Sequence, residues 1–348
     1  MKQPFALYRL PHADHYMSVT QLEGEAREFI SVSQLDGQSG YVFAPFLSTP
    51  QMPVLLIRPD EVKRIPLPEI QSNPMPMTHR QDAAGAMRKR YDLDFASFHA
   101  HVNMGEFEKI VLARSMRIYH AAPLDHTRLF LDACATYPRM MIALVSIPQA
   151  GTWLMATPEI LLEGELTQWH TVALAGTMPV SADAEKPLWD EKNIREQRLV
   201  CTYIIQSLEQ FGTNIEEQGP TTVRAGHLWH LRSDFSFSLA DDLRLGALLD
   251  RLHPTPAVCG LPKERARRFI LDNEAAPREY YSGFCGPLRM GEEQTHLYVN
   301  LRCMHISTHY CQLFAGGGIL PDSMVQKEWE ETETKLDTMR RLLMMHQQ

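Results

Sequence analysis

The apolar runs of this chain arrive in consecutive blocks, and that ordering restricts its possible folds more than any other feature. YVFAPFL (41–47) and VLLIRP (54–59) precede the first helical pattern, MIALVSI (141–147), TWLMATP (152–158) and ILLEGEL (160–166) follow one another directly, and so do THLYVNLRCMHIS (295–307) and HYCQLFAGGG (309–318). Short runs rich in β-branched and aromatic residues, punctuated by Gly and Pro, read as strands. Helical patterns fall at 80–104, 190–211, 262–272 and 324–346, and KIVLARSMRIY (109–119) reads as a strand. Strands grouped in runs, without regular alternation with helices, predict an α+β fold with largely antiparallel sheets in preference to a doubly wound one. Four prolines in PLPEIQSNPMPMT (66–78) exclude a continuing helix or central strand, so this segment is expected to link an N-terminal part to the larger remainder.

Composition removes several function classes. At 348 residues, 44% hydrophobic and 22% charged, the chain is an ordinary folded protein with room for one large or two ordinary domains. Lys plus Arg is 34 and Asp plus Glu is 42, and the net charge of −8 argues against a nucleic-acid partner. His12, Asp14 and His15 interrupt the apolar start, and no stretch reaches the length of a membrane span, so a cytoplasmic location without membrane contact is the default expectation. The six cysteines are dispersed without a CxxC pair and are expected to be reduced and mostly buried. HADH (12–15) and HAH (99–101) lack zinc-site spacing. There is no internal repeat and no GxGxxG or GxxxxGK[ST] loop; the sole glycine cluster, Ala315 to Gly318, is expected to follow a strand.

Several charged residues stand where chemistry is possible. Ser323 and Gln326 form a capping-box pattern ahead of an unbroken helical run. On that helix Glu328, Glu331 and Lys335 share a face, which reads either as a metal or anion site or as a solvated acidic stripe with intrahelical ion pairs. Glu196, with Val200 and Tyr203 on one stripe of a second helix, faces a cleft or is simply solvated. Carboxylates from separate helices suit Mg²⁺, a hard ion that takes oxygen ligands. Lys109, opening an apolar strand, and Glu159, after the turn ATPE, are sheet-edge charges or a base and acid pair; the second reading requires burial or neighbouring charge to tune them. Arg302 interrupts the apolar run VNLRCM and implies a buried carboxylate partner or a bound anion.

Ten segments then stand in a familiar order: KIVLAR (109–114), TPEILLEG (157–164), ALAGT (173–177), KNIREQ (192–197), HLWHL (227–231), LHPTPAVCGLPKERA (252–266), REYYSGFCGPL (278–288), NLRCM (300–304), LFAGGGI (313–319) and EWEETETKL (328–336). In these the chain resembles the chorismate-utilising enzymes over residues 85–345, with residues 1–70 matching only loosely. Within the family it looks most like the isochorismate synthases, particularly those of the menaquinone pathway. The resemblance implies one catalytic domain over 1–348: two large, mainly antiparallel sheets packed together with helices outside and a cleft between them. It implies Lys109 as the base that activates water and Glu159 as the acid that protonates the departing 4-hydroxyl of chorismate. Glu196 and Glu331 match Mg²⁺ ligands, with Glu328 in the water-mediated shell. Arg302 and Lys335 match carboxylate-binding cations. Gly176, Thr177, Gly316 and Gly318 match positions lining the substrate, and His253 resembles a family active-site histidine that serves equally well as a structural hydrogen-bonding group.

The same resemblance sorts the chain among relatives. Ammonia-using synthases typically carry Gln where Lys109 stands, and aminodeoxychorismate synthase carries a nucleophilic lysine where this chain has Ala175, which forms no such adduct. Water is therefore the expected nucleophile. Salicylate synthases and siderophore-pathway isochorismate synthases share the motifs and remain alternatives, with anthranilate synthase component I and a non-catalytic chorismate-binding protein further off. Met178 and Gln197 depart from the family pattern and put fine substrate contacts in question. No obligatory protein partner is implied, and a monomer is the default.

Overall fold

The computed structural model describes residues 3–69, 84–180, 187–225, 228–239, 244–291 and 294–345. Six strands come first: β1 (Phe5–Arg9), β2 (His15–Thr20), β3 (Arg27–Phe29), β4 (Gly40–Ala44), β5 (Val54–Ile57) and β6 (Glu61–Pro66). Helix α1 (Ala84–Asn103), β7 (Lys109–Tyr119) and α2 (His126–Thr136) follow. Next are β8 (Met141–Ile147), β9 (Gly151–Thr157), β10 (Ile160–Glu165), β11 (Gln168–Pro179), α3 (Glu191–Leu208), β12 (Gly212–Ala225) and β13 (Leu228–Leu239). The chain closes with α4 (Leu245–Leu252), β14 (Gly260–Leu261), α5 (Lys263–Asn273), β15 (Phe284–Leu288), β16 (Thr295–Val299), β17 (Cys303–Ile306), β18 (Tyr310–Ile319) and α6 (Val325–Met344).

The strands form two nine-stranded sheets, ordered β14-β7-β18-β17-β9-β8-β1-β2-β6 and β12-β13-β11-β10-β16-β15-β4-β5-β3, and every described pairing between them is antiparallel. The α+β expectation therefore holds. Strands before residue 67 extend both sheets, β1, β2 and β6 the first and β3 to β5 the second. Of the proline-rich segment 66–78, residues from 70 onward lie outside the described residues.

Burial on both faces explains the unbroken apolar runs. In β8, Met141, Ala143 and Val145 join the core between the sheets, where Tyr41, Phe43, Trp153 and Tyr280 pack, and Ile142 and Leu144 pack beneath α2 and α6. Helices α3 and α4 cover the second sheet through Val200, Ile204, Leu208, Leu245 and Leu249. Tyr91, Phe95 and Phe98 of α1 pack with Ile110, Leu112, Ile270 and Trp329. All six cysteines are free and buried. Among the described residues no helix is long and apolar enough to cross a membrane.

Three local expectations need correction. Met324, without a side-chain cap, precedes α6. Ser323 instead accepts the Leu320 N–H at 3.1 Å and donates to Glu328 Oε1 at 2.8 Å, because that carboxylate is buried and needs a donor. Residues 295–307 are two strands, broken at 300–302, where Arg302 takes a left-handed φ of 46°. The run Ala315 to Gly318 lies inside β18, paired with Val111 to Arg114 of β7, instead of following a strand.

Candidate active site

A cavity opens between the two sheets, lined by residues of β7, β11, β13, β18, α3, α6 and the loop positions 158–159, 257–258, 281 and 301–302. Glu159, Gly176, Thr177, Glu196, Arg302, Gly316, Gly318, Glu331 and Lys335 all lie on its wall. Lys109, Glu328 and His253 are not on the wall itself. Lys109 stands behind Glu196 and Gly318, and Glu328 stands behind Gly317.

Lys109 begins β7 and is fully buried, with Nζ 2.8 Å from Glu196 Oε1. The contact is an ion pair outside hydrogen-bond geometry, and Nζ has no other hydrogen-bond partner among the described residues. Glu196 is presented by α3, whose N-cap Asp190 accepts the Asn193 N–H at 2.9 Å. Burial works to raise the Glu196 pKa, but the charges of Lys109 and Lys192 outweigh it and hold the group below its usual range. The carboxyl of Glu159 is 2% exposed and accepts from Thr255 Oγ1 at 3.2 Å. Burial pushes its pKa up to about 7. Of the two carboxylates, one stays ionised and the other holds a proton near neutrality.

The strand carrying Gly176 and Thr177 is bent by a bulge: pairing with β13 shifts between Ala175 and Thr177, and Gly176 has a φ of 66°. Gln197, a departure from the family pattern, braces this segment from α3; it accepts the Ala175 N–H at 3.0 Å and donates to Ala173 O at 3.1 Å. Its role is thus in the scaffold. Asn193 Oδ1 accepts the Thr177 N–H at 3.2 Å.

Arg302 is buried without a carboxylate partner among its described contacts. Its Nη1 donates to Ala225 O at 3.0 Å and Nη2 to His230 Nε2 at 2.5 Å, while burial lowers its pKa to about 10. His230 is the cavity residue that sequence reasoning missed. Its Nδ1–H donates to Gly176 O at 3.0 Å, and burial, with the charges of Arg302 and Lys335, keeps the ring neutral. The second His of HLWHL stood inside a recognised motif, which was the available signal; its place opposite Thr177 follows only from the pairing of β13 with β11. His253 is turned elsewhere: Nε2 donates to Pro45 O at 3.0 Å, and burial drops its pKa to about 3.

The face of α6 that could have been solvated is instead buried at Glu328 and half-buried at Glu331 and Lys335. Lys335 Nζ donates to Glu331 Oε1 at 2.7 Å and to Gly316 O at 2.8 Å. Glu328 contacts Lys192 and Ser323, yet its Oε2 is buried with no hydrogen-bond partner. Burial and the adjacent Glu331 charge push its pKa up to about 7. Among the described residues no three Asp, Glu, His or Cys side chains converge as a ready metal-ligand set; Glu196, Glu328 and Glu331 each engage a lysine. The orphaned Glu328 oxygen, the crowded carboxylates and the all-oxygen donor set nevertheless fit a hard divalent cation.

A family model described as chorismate binding enzyme matches residues 60–344. The chain is 32% identical over 250 residues to isochorismate synthase MenF of Escherichia coli (strain K12), an alignment covering 69% of this chain and 57% of that protein. It is 26% identical over 363 residues to isochorismate synthase DhbC of Bacillus subtilis (strain 168), covering 96% of this chain and 88% of that one. Thus it spans less than two thirds of the first of these relatives. Among solved structures, a 2,3-dihydroxybenzoate-specific isochorismate synthase from Bacillus anthracis, described as putative, superposes with a TM-score of 0.83 at 22% identity, over 98% of this chain and 96% of that one. Menaquinone-specific MenF of Escherichia coli gives 0.79 at 24% identity, over 98% and 88%. With the sheet architecture shared and the family model spanning most of its length, the chain belongs to the chorismate binding enzyme family.

Proposed function

We propose that the chain is an isochorismate synthase of the menaquinone type, adding water at C2 of chorismate as the C4 hydroxyl leaves. The observation that carries this reading is a protonated acid and an amine at one cavity: buried Glu159 on the wall and buried Lys109 behind it. Lys109, acting as the neutral amine after giving up the ammonium proton, takes a proton from the attacking water, and Glu159 gives its proton to the departing hydroxyl, which leaves as water. The ring is isomerised with no net change in protons once the lysine proton has been returned to Glu159. Arg302, held by His230, and Lys335, held by Gly316 O, are cations suited to the substrate carboxylates. The names of the relatives and the Lys109 and Ala175 positions support water as nucleophile over ammonia or an enzyme amine.

Mg²⁺ belongs to the same proposal, with Glu196 and Glu331 as ligands and Glu328 in the outer shell. When bound, the ion supplies positive charge that holds the ring carboxylate and relieves the crowded acids. We read the protein as a cytoplasmic monomer acting on a free small molecule. Incubating it with chorismate and Mg²⁺ and resolving the products by chromatography tests the reaction. Isochorismate alone is the expected product. Salicylate with pyruvate, anthranilate in the presence of ammonia, or unchanged chorismate would each replace this reading.

A further inference from the structure

The supports of the acid and of the base meet at a buried ion pair that no part of the proposed mechanism uses. Beyond the end of α5, Glu274 and Arg278 side chains are 4% and 3% exposed. Arg278 Nε donates to Glu274 Oε2 at 2.7 Å and Nη2 to Oε1 at 2.5 Å. The pair also grips backbone on both sides. Glu274 Oε1 accepts the Ala113 N–H at 2.8 Å, Arg278 Nη2 donates to Val111 O at 2.9 Å, and Arg278 Nη1 donates to Val258 O at 2.6 Å.

These contacts matter because of where β7 sits. On one side it pairs with β18 along its length, whereas on the other β14 pairs only with Lys109 and Ile110. Past Ile110 the outward N–H and C=O groups need other partners. Cys259 O takes the Val111 N–H at 2.8 Å, and the ion pair takes Val111 O and Ala113 N–H, so two side chains stand in for a missing strand directly after Lys109. At the far end of the same connection, Val258 and Cys259 donate to Thr255 O at 3.0 and 2.9 Å, and Thr255 Oγ1 donates to Glu159 Oε1 at 3.2 Å. A continuous path runs from Glu159 through Thr255, Val258 and Arg278 to the strand that presents Lys109.

We propose that Glu274 and Arg278 are positioning residues that lock the strand bearing Lys109 to the turn bearing Thr255, and so fix the placement of base relative to acid across the substrate ring. This inference rests on the isochorismate synthase reading. A buried ion pair by itself is a poor source of stability, and this one is placed where its remaining donors and acceptors hold three backbone groups of the Lys109 strand and the 255–259 connection. Arginine is needed for it: the planar fork serves Glu274, Val111 O and Val258 O together, whereas a lysine ammonium on a flexible stem does not hold that fixed geometry.

The test measures kcat and KM for isochorismate formation, and melting temperature, in Arg278→Lys, Thr255→Val, their double variant, and Glu274→Leu combined with Arg278→Met. Arg278→Lys is expected to lower kcat about 10- to 100-fold while KM for chorismate stays within about threefold, as for a misplaced reacting group. Adding Thr255→Val to it should cost much less than Thr255→Val costs alone, because both act along one path. The Leu/Met protein removes both charges together but strands the Ala113 N–H and the Val111 and Val258 carbonyls, so it is expected to melt below the parent and, assayed well below its melting temperature, still to show the kcat loss. Full kcat in the Leu/Met protein, fully additive losses with Thr255→Val, or activity falling only with the folded fraction would overturn the inference. Wild-type protein that makes no isochorismate overturns the functional reading and this inference with it; wild-type turnover with an unaffected Arg278→Lys overturns the inference alone.

Discussion

In the proposed reaction Glu159 delivers a proton, so its chemistry has a direction in pH. With its pKa raised to about 7 by burial, the acid is present below that value and disappears above it. Turnover limited by this step is therefore expected to fall as pH rises through about 7, and Glu159→Gln should lower kcat by roughly 10²- to 10⁴-fold and abolish that limb of the profile. Stability has the same sign. The folded protein holds this proton where the unfolded chain, near 4.5, has lost it, so stability declines between about pH 4.5 and 7, and Glu159→Gln should flatten the decline in a pH series of melting temperatures. Lys109→Ala removes the proposed base and should cost a comparable factor in kcat. Undiminished turnover in either variant would sink the assignment. At this scale the residue types were readable, but their states were not. Sheet-edge charge and acid–base pair both stood open for Lys109 and Glu159, because burial depends on β14, β18 and the turn holding Thr255, all distant in the chain.

Between neighbouring elements, small gaps and charged clamps decide what fits. A Cβ on Gly318 would collide with Glu196 Oε1 and lie 2.8 Å from Lys109 Cε, so the ends of both side chains must shift to admit it. Gly318→Ala is expected to separate Lys109 from Glu196 and lower kcat at least about tenfold, measured beside Gly85→Ala, whose Cβ meets nothing within 4 Å. On the second sheet His170 of β11 bridges Glu163 of β10 at 3.0 Å and Asp234 of β13 at 2.9 Å. Burial opposes the charge of the ring, yet the two carboxylates prevail and raise its pKa to about 9. The folded value lies above the unfolded 6.5, so the clamp stabilises fully below about pH 6.5 and is lost as pH rises through about 9. His170→Gln should lower the melting temperature by on the order of 2 °C at pH 6, with the difference shrinking above pH 9. Most elements were legible in the apolar runs. The β12–β13 hairpin was not anticipated: β12 is largely exposed and polar, and its pairing comes from the register of β13.

Across the whole molecule, three carboxylates and three lysines from β7, α3 and α6 meet at one end of the cleft. A cation that binds this arrangement only when folded raises the melting temperature in proportion to the logarithm of its concentration. Millimolar Mg²⁺ is accordingly expected to stabilise the parent in a thermal scan, and Glu331→Ala to lose both that shift and Mg²⁺-dependent turnover; an unchanged shift would remove Glu331 from the ligand set. By itself the sequence determined the α+β class, the strand runs and the order of the motifs, because apolar periodicity, breakers and turn chemistry are local properties of the chain. Only the tertiary structure decided that Glu328 of α6 is buried against Lys192, that Arg302 leaves its strand to meet His230, that His253 turns away from the cavity, and that Gln197 braces a bulge. Each of those outcomes is a contact between residues far apart in sequence, fixed by packing and by the need of buried polar groups for partners.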